Sequence, residues 1–204
     1  MGREHEELIV PDAAVWRAWL DAHHDEQDEA WVVLAKKGTT TPTTLTYDEA
    51  LDEALCFGWI DGQGRRRDDV TSLQRFTPRR RRSSWSKRNV GIAERLVAEG
   101  RMRPAGLAEI ERAKADGRWD AAYSGPATIE VPAELAAALA AEPKAQAMFE
   151  ILTGRNRYAI LYRIATAKRP ETRARRIEQF VAMLARGETP YPQKRTLGSI
   201  SERR

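Results

Sequence analysis

One cysteine, Cys56, stands in a chain of 204 residues. A single thiol cannot close an intramolecular disulfide or furnish a Cys-rich zinc site, and it suits a reducing compartment. Long apolar runs are also missing. The longest unbroken ones, residues 30–35 and 135–141, fall far short of the about 20 apolar residues a membrane-spanning helix needs. Histidine is scarce: His23 and His24 are adjacent, so on a helix they diverge by about 100° and cannot present the i, i+4 pair that holds a metal. His5 lies in the charged start of the chain. No metal site and no cofactor are expected. The first seven residues are charged, with no apolar core behind them, unlike a secretory signal, and a cytosolic location is expected. P-loop and dinucleotide-binding glycine patterns are absent, as are helix-turn-helix, zinc-finger and RNA-binding signatures.

What is present is charge, unevenly placed. Residues 1–58 hold thirteen acidic and four basic side chains, whereas residues 61–90 hold ten basic and three acidic ones. An acidic first third followed by a basic remainder makes an anion-facing surface a reasonable expectation. The apolar residues suffice for a core, so the charge does not imply disorder.

The order of elements follows from caps and periodicity. Asp12 caps a helix running to His23, with Val15, Trp16, Trp19 and Leu20 on one face. Residues 31–35 are short, apolar and β-branched, which predicts a strand. Thr46 and Glu49 form a capping box for a helix that buries Ala50, Leu51, Ala54 and Leu55 and stops at Gly58. Residues 59–66 and 71–77 flank a turn at Arg67, Asp68 and Asp69, which predicts an antiparallel hairpin. From Pro78 on, the pattern is helical. Ser86 caps one helix, with Ala93, Leu96 and Val97 inward, and Pro104 starts another carrying Leu107 and Ile110. Pro132, Pro143 and Pro170 mark further starts, the last helix running through Ile177, Val181 and Leu184 to Gly187.

The fold class expected is therefore α+β: a small antiparallel sheet with packed helices, then a helical C-terminal half. Three segments are expected: an α+β domain over residues 1–103, with its acidic start and basic loop; a helical part over 104–188 that can share the same core; and a flexible tail over 189–204.

The densest chemical signal is residues 75–89, where Arg79, Arg80, Arg81 and Arg82 precede Ser83, Ser84, Trp85, Ser86, Lys87, Arg88 and Asn89. Guanidinium forks, hydroxyls and the start of a helix suit phosphate or carboxylate oxygens. Phe76 and Trp85 between the cations resemble the stacking platforms of single-strand nucleic-acid binders. The alternatives are a solvated basic loop and two aromatic core anchors. Asp61 follows Trp59 and Ile60 at a strand start and precedes a glycine, which makes it the candidate functional carboxylate. An aspartate there can equally accept backbone amides or pair with an arginine. Arg118, beside Trp119, completes the anion site if packing brings it to Arg79 and Ser86. The ligand-binding set expected is thus Trp59, Asp61, Arg79, Arg80, Trp85, Ser86, Lys87, Asn89 and Arg118. A second basic surface, running from Arg155 to Arg186 with two acids over the last helices, suits phosphates or simply keeps amphipathic helices wet.

Five motifs in order resemble the YdeI/OmpD-associated family, also called bacteriocin-protection proteins: residues 53–62, 75–89, 100–107, 116–123 and 167–173, within a resemblance spanning about residues 5–190. The resemblance implies a bacterial protein linked to tolerance of antimicrobial peptides or envelope stress, without agreed catalytic residues or cofactor. The family name points to a porin partner in some members; without an export signal, direct contact with a porin is not expected here. The reading adopted is a cytosolic stress-tolerance accessory protein binding a phosphate-bearing ligand or nucleic acid through its basic loop. Its rivals are an enzyme with Asp61 as general base and Arg79, Arg80 and Ser86 holding an anionic substrate, and an interaction module whose acidic third takes a cationic peptide.

Overall fold

A computed structural model describes residues 6–196. The chain divides into two compact units, Met1–Ala122 and Tyr123–Arg204.

In the first unit, α1 (Ala13–His23) begins where the Asp12 carboxylate accepts the Val15 N–H at 3.0 Å. Trp16 and Leu20 are buried, whereas Val15 is exposed. Strand β2 (Ala30–Ala35) is followed by α2 (Tyr47–Cys56), whose capping box forms as Thr46 and Glu49 predict. Strands β3 (Trp59–Arg66) and β4 (Thr71–Pro78) are the expected antiparallel hairpin. Asp68 fixes its turn, accepting the N–H groups of Val70 and Thr71 and the Thr71 hydroxyl. The hairpin joins β2 antiparallel through β4. A two-residue strand, β1 (Glu7–Leu8), adds to the far side of β2 in parallel, so the order is β1-β2-β4-β3 and the sheet is mixed, where an antiparallel one was expected. Two residues carry too little alternation to be read as a strand.

Ala30, Val32 and Leu34 join the core beneath α1 and α2. By alternation Trp31 and Val33 face the other way, and the Arg65 guanidinium covers the Trp31 ring at 4.3 Å. Helices α3 (Lys87–Ala98) and α4 (Pro104–Ala115) complete the unit. The α2–α4 approach is close enough that a Cβ on Gly106 would stand 2.3 Å from the Cys56 carbonyl oxygen, which only glycine allows. Gly58 ends α2 at φ 75°, in the left-handed region, and sends the chain into β3. A division at residues 103 and 104 was expected; instead α4 belongs to the first unit, because Gly106 and Ile110 pack into the sheet-side core. Glu53 is buried between Arg17 and Arg101, each 2.5 Å away. Two guanidinium groups compensate a carboxylate that would otherwise be too costly to desolvate.

The helices of the second unit are α5 (Ala133–Ala140), α6 (Pro143–Glu150), α7 (Gly154–Ala165) and α8 (Pro170–Ala185), joined by irregular segments. Its own core is built from Leu135, Leu139, Met148, Phe149, Ile160, Ile164 and Leu184, among others. The tail expected over 189–204 is not loose where it is described. Buried Asn156 donates to the Tyr191 carbonyl at 2.9 Å and accepts the Tyr191 N–H at 2.8 Å, while Gln193 accepts from Thr153 and Asn156. One buried amide thus satisfies both backbone groups of Tyr191 in a segment that has no periodicity to announce it. The rest of that expectation, residues 197–204, lies outside the described residues, as does His5.

Candidate functional site

The loop between β4 and α3 is held from inside by two arginines. Arg79, only 5% exposed, donates its backbone N–H to the Gly58 carbonyl at 2.9 Å and lays its guanidinium 3.6 Å from the Trp85 ring centroid. One Arg79 Nη donates to the Ser84 carbonyl at 3.3 Å. Arg118 comes to the same loop. Its Nη1 donates to the Ser83 carbonyl at 2.7 Å, while Asp116 holds its Nε from both carboxylate oxygens at 2.8 Å. Trp85 is itself 2% exposed and tilted against Trp119, with centroids 4.8 Å apart. Arg118 was expected to come to Arg79 and Ser86; the contact it makes with the loop is to the Ser83 carbonyl.

Several residues expected to face a ligand face the core. Trp59, at 1% exposure, donates its indole N–H to the His24 carbonyl at 3.0 Å. Trp85 joins the same core cluster, so neither indole is a stacking platform; a large ring beside cations also reads as a core anchor, and burial wins here. Asn89 is buried, and its N–H donates to the Ser86 hydroxyl at 3.1 Å, which gives that hydroxyl a capping role. Arg79 packs inward. What remains in solvent is Arg80, Arg81, Arg82 and Lys87. The Arg80 backbone N–H donates to the Ser83 hydroxyl at 2.9 Å, which sets the turn. Among the described residues, none of these four side chains is held by a carboxylate; Asp48 pairs with Arg88, and Asp116 with Arg118.

Asp61 lies on β3 opposite Phe76 and accepts the Tyr47 hydroxyl proton at 2.9 Å. Burial, reinforced by the Asp61 charge, pushes the Tyr47 phenol up to about 12, so it stays a neutral donor. Arg88 covers the Tyr47 ring at 5.3 Å. Of the residues expected to hold a substrate for a catalytic Asp61, Arg79 stacks on Trp85 and the Ser86 hydroxyl caps α3. Cys56 is fully buried, and burial pushes its thiol up, away from the reactive thiolate. Among the described residues no group of three or more His, Cys, Asp or Glu side chains is placed to hold a metal ion.

Sequence reasoning missed the concave surfaces. In the first unit a cavity of about 370 Å³ is lined by Trp19, His23, Gln27, Glu29 and Trp31, with Glu6 and Glu7 at its side. Arg75 pairs with Glu29 at 2.5 Å and Arg67 with Glu7 at 2.7 Å, compensating two of its carboxylates. In the second unit a cavity of about 620 Å³ is lined by Arg155, Tyr158, Ala159, Tyr162, Arg163 and Tyr191, among others. The i, i+3, i+7 spacing of Arg155, Tyr158 and Tyr162 is the available signal, hidden because the arginines around it suit a phosphate-binding or a wet basic face without the tyrosines. That second basic surface is partly engaged. Arg173 meets Glu134, Arg186 meets Glu188, and Arg157 covers the Phe149 ring.

No helix among the described residues is long and apolar enough to cross a membrane. Residues 8–109 match the family model of a domain of unknown function, DUF8412. Residues 128–187 match that of the family described as Bacteriocin-protection, YdeI or OmpD-Associated. The second match contains the 167–173 motif, whereas the motifs at 53–62, 75–89 and 100–107 fall within the first. A search of curated proteins found no match to the chain, and neither did a search of solved structures. The chain therefore belongs to the DUF8412 family through half of its length and carries, in its helical C-terminal unit, the bacteriocin-protection, YdeI or OmpD-associated signature.

Proposed function

We propose that the chain is a protective accessory protein that engages a polyanion through Arg80, Arg81, Arg82 and Lys87. The observation that carries this reading is the division of labour within one loop. Arg79 and Arg118 fix its backbone from inside, and four neighbouring cations stand outside with no carboxylate among the described residues holding their side chains. A fixed backbone reduces the ordering cost of binding, and guanidinium forks suit phosphate oxygens. The cations are displayed on an exposed loop and on the first residue of α3 rather than inside any of the cavities described above, which favours an extended polyanion, such as a single-stranded nucleic acid, over an enclosed small molecule. The protective role rests on the family signature over residues 128–187. A cytosolic location belongs to the same reading, and the single buried thiol is compatible with it.

The test is a titration with a single-stranded oligonucleotide at two salt concentrations. Arg80→Ala/Arg81→Ala should weaken binding and reduce the salt slope by about 0.7 per lost phosphate contact. The exposed pair Arg169→Ala/Arg175→Ala, on the second unit, should leave both nearly unchanged. Equal losses from the two pairs would replace the loop site with a diffuse basic field. Absence of wild-type binding would favour the second reading, in which the cavity with Trp19, Trp31 and its carboxylates takes a basic side chain of a peptide.

A further inference from the structure

Helix α7 carries two stripes. Asn156, Ile160, Leu161 and Ile164 are buried and serve the core of the second unit. Arg155, Tyr158, Ala159, Tyr162 and Arg163, at offsets of 0, 3, 4, 7 and 8, make the other face, and all five line the 620 Å³ cavity. An outward helical face normally carries small polar or charged side chains. Two half-buried tyrosines with an alanine between them, bounding a cavity of ligand size, are a departure from that pattern.

The walls are ordered by contacts within the unit. Tyr162 meets Tyr123 edge-on at 5.0 Å and 83°, and Tyr158 at 5.6 Å and 38°. Tyr191 closes another side and is stacked under the Arg155 guanidinium at 4.1 Å. The bonds from Asn156 to both backbone groups of Tyr191 fix that wall, so a fully buried amide serves to place one aromatic ring beside the cavity. Arg176 donates to the Arg163 carbonyl, which leaves the Arg163 guanidinium outside that contact. Among the described residues the lining carries two arginines and no carboxylate.

We propose that this pocket binds a small anion bearing a planar ring. The ring packs against Tyr158 and Tyr162 in offset or edge-on contact, and the anionic group meets the Arg163 and Arg155 forks. A ring without charge forgoes the forks, and a charge without a ring forgoes the aromatic wall. Two sources share this chemistry, a nucleoside monophosphate and an aromatic carboxylate. The inference stands apart from the polyanion reading, because its residues all lie in the second unit.

The experiment is calorimetric titration of the full chain with adenosine 5′-monophosphate and, separately, 2-naphthoate, against adenosine and inorganic phosphate as half-ligands. At least one ring-bearing anion should bind with a Kd of about 1 mM or tighter, and whichever binds identifies the source. Both half-ligands should bind at least about tenfold more weakly, as expected when a charge-assisted contact or an aromatic wall is forgone. Arg163→Ala and Tyr158→Leu should each weaken binding by about tenfold with an unchanged melting curve, and Arg80→Ala/Arg81→Ala should leave it unaltered. The proposal is overturned if neither ring-bearing anion binds, if a half-ligand binds as well, or if both pocket variants bind like wild type.

Discussion

Arg79 is turned inward beneath Trp85, while Arg80, the next residue, stands in solvent. Four consecutive arginines look equivalent in a sequence, and their different roles depend on which one meets an indole and a carbonyl contributed by residues five or six positions on. The same holds for Trp85, whose neighbours in the chain are polar while its neighbours in space include Trp119. Composition told correctly that cations and aromatics are interleaved here. It could not tell which side of the loop each takes, because a loop has no period from which orientation can be read. Trp85→Ala should therefore destabilise the first unit by about 3 to 5 kcal/mol, through lost burial and a residual cavity. Chemical denaturation of wild type and variant measures it. An unchanged midpoint would return Trp85 to the surface and restore it as a stacking candidate.

Elements with a cap of their own were legible. Asp12, Thr46, Ser86, Pro104, Pro143 and Pro170 each mark a helix start within a residue of where it lies, because capping chemistry is local. The parallel strand β1 was not legible, since its existence depends on β2 offering an edge 24 residues later. The start of α7 at Gly154 is not legible either, its cap Thr153 standing between Leu152 and Gly154. The β3–β4 hairpin shows how a local signal becomes pH-dependent. The Thr71 hydroxyl, the largest influence, acts with the Thr71 and Val70 amides and Arg67 to hold the Asp68 carboxyl down to about 2. A depressed carboxyl stabilises the fold above its ordinary range near 4, and that contribution is lost as pH falls through about 2. Between pH 5 and 2, as an approximate window for this shift, Asp68→Asn should begin less stable than wild type and lose less on acidification. Thermal melts of both across that range should converge; parallel curves would remove Asp68 from the acid response.

At the scale of the whole molecule the two cores share no residue: one gathers the sheet and α1 to α4, the other α5 to α8. The fold class was readable because both periods, two for the strands and near 3.6 for the helices, run through their own stretches of sequence. The dividing line was not, because α4 is as helical as its successors and only its packing, with Gly106 against Cys56, assigns it to the first unit. A fragment of residues 123–204, expressed by itself, should show helical circular dichroism and a cooperative melt, since its apolar residues already bury one another. A non-cooperative trace would mean that its core needs residues from outside. The two family matches end and begin at residues 109 and 128, on either side of the division at Ala122 and Tyr123. That coincidence bears on ancestry. A recombination breakpoint in this stretch would leave each core whole, whereas one inside residues 8–109 would part β1 from β2, β2 from β4 or α2 from α4. The sheet-bearing half and the helical half are thus heritable separately, and the pairing of DUF8412 with a bacteriocin-protection signature is one that gene fusion can make with each core kept whole.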